Sequence, residues 1–72
     1  MKFKVIFTFD PEYEGYVAEV PELPGCLSQG KTLDEAVENI KDAIRGYLDV
    51  RAKHGKPYVP QESQSFIGEV VV

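Results

Sequence analysis

The sequence predicts a single α+β domain of β-β-β-α-β order, a four-stranded mixed sheet with one long helix packed on one face. Three observations carry this expectation: alternating apolar residues over Lys2 to Asp10, an apolar stripe at helical spacing from Leu33 to Leu48, and a short apolar segment from Phe66 to Val72. Seventy-two residues provide for one core, so the domain is expected to span residues 1–72.

In the first strand Phe3, Val5, Phe7 and Phe9 fall on one side and Lys2, Lys4, Thr8 and Asp10 on the other, with Ile6 as the exception. Asp10 to Gly15 mixes Pro and Gly with polar residues and is expected to turn the chain into a second strand, Tyr16 to Val20. Pairing Phe9 with Tyr16, Phe7 with Ala18 and Val5 with Val20 stacks the apolar residues on one face. Pro21 to Gly25 reads as a turn, and Cys26 to Gln29 as a short third strand.

Thr32-Leu-Asp-Glu35 has the form of a capping box, which opens the helix. Leu33, Ala36, Val37, Ile40, Ala43, Ile44, Tyr47 and Leu48 then form one buried stripe. Acidic residues near the helix start and Arg51, Lys53 and His54 near its end complement the macrodipole, and Gly55 with Pro57 ends the helix. Lys56 to Ser65 reads as a surface loop, and Phe66 to Val72 as a fourth strand apolar on both sides. A right-handed crossover would set that strand parallel to the first and beside it, for a sheet order of 3-2-1-4. Ile6, Val17, Ile67 and Val71 would then share the face away from the helix, which is too apolar for water and is expected to serve self-association.

Composition narrows the function. An apolar content of 43% with four Phe and four Tyr belongs to a folded domain, but a core this small is expected to need an oligomer, a dimer or tetramer, for stability. The single cysteine, Cys26, and the absence of a leader-like start point to the cytoplasm, and no apolar run is long enough to span a bilayer. A net charge of −4 opposes nucleic-acid binding and suits a basic protein partner.

No catalytic or cofactor site is expected. Asp10, Glu12 and Glu14 lack the spacing of a calcium loop and read as a solvated turn. Cys26 has no basic neighbour in sequence to activate it, and His54 is the only histidine. Gly15, Gly25, Gly30 and Gly55 stand singly at turns and no Gly-rich phosphate loop is present, and Tyr13 and Tyr58 lie in loops with little basic company for stacking on bases. Exposed tyrosine beside acids suits a protein interface.

The segment from Asp10 to Ala36 carries a specific set of features: the Asp10 turn with Gly15-Tyr16, Pro21-Glu-Leu-Pro-Gly-Cys26, Gly30, and Thr32-Leu-Asp-Glu-Ala36 opening a helix. In these it resembles the HicB-like family, also known as UPF0150. The resemblance implies a partial ribonuclease H-like fold and an antitoxin that binds and blocks HicA, a small basic mRNA-cleaving toxin. Many family members add a C-terminal operator-binding domain; this chain ends at Val72, so direct DNA binding is not expected. The expected toxin-binding surface is the acidic hairpin, Asp10, Glu12, Tyr13 and Glu14, with Glu19 and Glu22 nearby. A degenerate metal-dependent nuclease of ribonuclease H type, or an orphan oligomeric module that binds a small molecule or a protein, are the alternatives.

Overall fold

In the computed structural model, which describes residues 1–59 and 68–72, local sequence decides where each element begins. β1 (Ile6–Asp10) and β2 (Gly15–Glu19) pair antiparallel, and β3 (Leu27–Gly30) adds to β2. The register sets Phe9 against Tyr16 and Phe7 against Ala18, as the alternation predicts. Ladder pairing stops at Ile6 and Glu19, short of Val5 and Val20.

The four residues between β1 and β2 turn on Asp10, whose Oδ1 accepts from the amides of Glu12 (2.9 Å) and Tyr13 (3.4 Å). Glu14 closes the turn in the left-handed region, at φ 58°.

α1 runs Leu33–Lys53. The Thr32 hydroxyl accepts from the Glu35 amide at 3.1 Å, which satisfies one of the free amides of the first turn. The other half of the capping box differs from the expected form, because Glu35 Oε2 accepts from the Lys31 amide (2.9 Å) instead of reaching Thr32. At the far end Gly55, at φ 72°, allows its own amide to bond Ala52 O and that of Lys56 to bond Arg51 O, a Schellman closure.

The four-stranded expectation is overturned. Among the described residues the sheet has three strands in the order β1-β2-β3, and no strand pairs with the outer edge of β1. Gly68 to Val72 adopt no strand, with Val70, Val71 and Val72 almost fully exposed; Phe66 and Ile67 lie outside the described residues. Apolar content gave that segment strand propensity, but a strand forms only against a partner edge, and such pairing is not written into local periodicity.

The helix packs across β3 and β2 rather than β1. Phe7 and Phe9, expected in the core, are therefore 36% and 54% exposed, with Phe9 resting edge-on against Tyr16 at 5.5 Å. The core is instead built from Ala18, Val20, Leu23, Cys26 and Ile40. Leu23 and Val20 are its largest fully buried side chains, and they sit in the β2–β3 connection, not in a strand. That connection behaves as packed structure: Val20 N donates to Cys26 O, Leu23 N to Val20 O and Cys26 N to Leu23 O. Truncating Leu23 to alanine is expected to lower stability by about 3 kcal/mol, read as a drop in the urea midpoint at unchanged slope.

Candidate functional site

Six residues were expected to meet a partner, and the fold divides them by what they already hold. Asp10 is committed to the turn amides, and Glu22 Oε1 accepts from the Lys4 amide at 2.9 Å, tying the β2–β3 connection to the chain before β1. Tyr13 is half-buried beneath Lys31, whose ammonium lies 3.9 Å from the ring centroid and also donates to the Tyr13 carbonyl. This clamp fixes the hairpin tip against the start of α1, and the sequence offered no sign of it.

Glu12, Glu14 and Glu19 are the carboxylates left to solvent. Glu12 and Glu14 lie at the hairpin tip, while Glu19 lies at the other end of β2, between Ile6 of β1 and Leu27 of β3. The next row on that face is Thr8, Val17 and Gln29. The result is an open sheet surface with Ile6 and Leu27 exposed, Val17 half-buried and one carboxylate in its apolar row.

Of the residues expected to form a self-association surface, Ile6 and Val17 share this face. Val71 does not join it in a strand, and Ile67 lies outside the described residues.

The features that would mark catalysis are dispersed. Among the described residues no group of three or more His, Cys, Asp and Glu side chains converges to hold a metal. Cys26 is buried in the core, and burial pushes its thiol pKa up, away from the thiolate needed for attack. His54 caps the end of α1. No helix among the described residues is long and apolar enough to cross a membrane.

Two glycines hold the site's geometry. A Cβ on Gly15 would lie 2.7 Å from Gly30 O and 2.8 Å from Tyr13 Cε2, and one on Gly30 would lie 2.4 Å from Ala36 N. The hairpin end of the sheet thus meets the helix start at backbone distance, which positions the acidic tip.

Comparison with known proteins places the sequence in a family. A family model described as the HicB-like antitoxin of a bacterial toxin-antitoxin system matches residues 3–69. The chain belongs to the HicB-like antitoxin family. Within it, the chain is 49% identical over 63 residues to a UPF0150 protein of Thermoplasma acidophilum, covering 88% of each. It is 43% identical over 72 residues to a UPF0150 protein of Archaeoglobus fulgidus, covering all of this chain and 93% of the other. A UPF0150 protein of Helicobacter pylori is 54% identical over 39 residues, 54% of each chain. HicB-like membership accounts for the features between Asp10 and Ala36, several of which prove to be structural: Asp10, Gly15, Gly30 and Thr32 all make the close contacts described above.

Proposed function

We propose that the chain is a cytoplasmic antitoxin that binds a small basic ribonuclease of HicA type stoichiometrically, covering its active surface and performing no catalysis itself. The observation that carries this reading is Glu19, a carboxylate standing between Ile6 and Leu27 on an open sheet face, with Glu12 and Glu14 at the hairpin end. Apolar neighbours supply buried area, and a basic partner supplies the charge that Glu19 needs once water is removed. The face reserved at first for self-association, with Ile6 and Val17, therefore suits a basic partner better.

The rival reading, a metal-dependent nuclease, needs several carboxylates converging on one point. Asp10 is held by the turn amides, Glu35 by the Lys31 amide, and among the described residues no three such acids converge. Binding is favoured over cleavage.

The test is titration of the chain into a catalytically inactive form of a small basic HicA-type protein, taken from the gene adjoining this one if such a gene is found there. A one-to-one complex with nanomolar affinity, weakening as salt rises, is expected. Lack of any complex at micromolar concentrations would remove the antitoxin reading.

A further inference from the structure

Glu19 closes β2, the central strand of the sheet, and stands on the open face between Ile6 of β1 and Leu27 of β3. Both neighbours are exposed, so the carboxylate has aliphatic side chains on two flanks, roughly 5 Å away across the ladder. Val17, two residues back along β2, lies on a third side. Within the three strands the other ionisable side chain on this face is Asp10, whose Oδ1 is already taken by the Glu12 and Tyr13 amides. The Glu19 side chain makes no hydrogen bond or ion pair among the described residues. Protection of the sheet does not account for it. Charges that keep a sheet from adding a foreign strand belong on edge strands, and β2 is paired on both sides. Glutamate is also among the residues depleted in strands, so the strand itself does not require it.

We propose that Glu19 is the anchor of the partner interface and that the group it takes is an arginine of the basic partner, lying over Ile6, Val17 and Leu27 with its guanidinium against the carboxylate. The inference rests on the binding role proposed above and names the chemistry of one contact within it. A partner closing over this row strips water from Glu19, whose charge must then be met by a cation that loses little on leaving water. Guanidinium is that cation. It is more weakly hydrated than an ammonium group, its planar faces pack on apolar side chains, and it offers two parallel N–H groups to a single carboxylate. A lysine ammonium is a compact, strongly hydrated point charge, and the aliphatic flanks supply nothing in place of its water. The adjoining row completes the match. Thr8 and Gln29, both exposed, stand on either side of Val17, and their side-chain oxygens are acceptors for the guanidinium N–H groups that the carboxylate leaves over. Arginine is also one of the few side chains that dominate affinity when fully desolvated near the middle of an interface.

The test pairs the full chain with the catalytically inactive HicA-type protein described above, each arginine of that protein being exchanged in turn for lysine. Affinities are read by calorimetry against the wild-type chain and against Glu19→Gln. One exchange is expected to weaken binding to the wild-type chain at least ~10-fold and binding to Glu19→Gln less than ~2-fold, which marks a direct pair. Glu19→Gln alone is expected to weaken binding at least ~10-fold, chiefly through faster dissociation, whereas Glu12→Gln and Glu14→Gln at the tip act chiefly on association. The circular dichroism spectrum and urea midpoint of Glu19→Gln should match wild type, since this side chain bonds nothing else among the described residues. A complex in which no arginine exchange depends on Glu19, or in which loss of a lysine shows that dependence instead, would overturn the inference and leave the antitoxin reading standing. No complex at all would remove both.

Discussion

Replacing Gly30 by alanine is expected to cost about 3 kcal/mol of folding stability, enough to leave most of the chain unfolded at 37 °C. The added Cβ would sit 2.4 Å from Ala36 N and 2.7 Å from Glu35 C and Cβ. Most of these are backbone atoms of the first helical turns, which cannot rotate aside as a flexible side-chain end would. Relief requires α1 to move off β3, and that motion opens the core between Ala18 and Ile40. Gly25 provides the contrast. Its Cβ position is empty, and only its φ of 84° opposes a side chain, so Gly25→Ala is expected to cost about 1 kcal/mol. Urea unfolding of the two variants checks the ordering. Equal losses would mean that strain, not the approach of helix to sheet, governs both glycines.

Reversing Glu12, Glu14 and Glu19 together to lysine is expected to weaken toxin binding by about 100-fold or more at low salt, mainly through slower association. The three carboxylates are the exposed members of the acidic surface, and none of them bonds the rest of the chain through its side chain among the described residues. Stability should therefore change by less than ~0.5 kcal/mol. The salt response separates charge from shape: wild-type affinity falls as ionic strength rises, whereas the variant's stays flat or rises. Binding within threefold of wild type at low salt would relocate the interface. Single reversals sort the contributions further, since Glu19→Lys would act on a desolvated position and the tip variants on encounter.

Much of the fold was legible because it is encoded locally. The stripe from Leu33 to Leu48 and the Thr32 cap give the helix of residues 33–53, and Phe9, Phe7, Tyr16 and Ala18 give the hairpin register. What local pattern did not provide was coverage. Phe7 and Phe9 alternate like core residues, yet the helix lies over the far strands, and alternation cannot say which part of a sheet is covered. The fourth strand failed for a related reason: Val70 to Val72 are apolar enough for a strand, but pairing depends on an edge remote in sequence. The candidate site was half legible. Its acids were visible as acids, but which of them already serve the turn or the loop depends on where Lys4 and the amides of Glu12 and Tyr13 come to lie.

The placement of Leu23 and Val20 reverses the usual ranking of where a protein accepts extra residues. Connections between strands are ordinarily the safest places for an inserted epitope or a fluorescent reporter. Here the β2–β3 segment is the keystone of the interior, so lengthening it between Pro21 and Gly25 pulls out the two largest buried side chains. The hairpin tip at Glu12 tolerates such a graft for folding, at the expense of the surface proposed for a guest, so under that proposal neither connection within the three-stranded sheet is free of both duties.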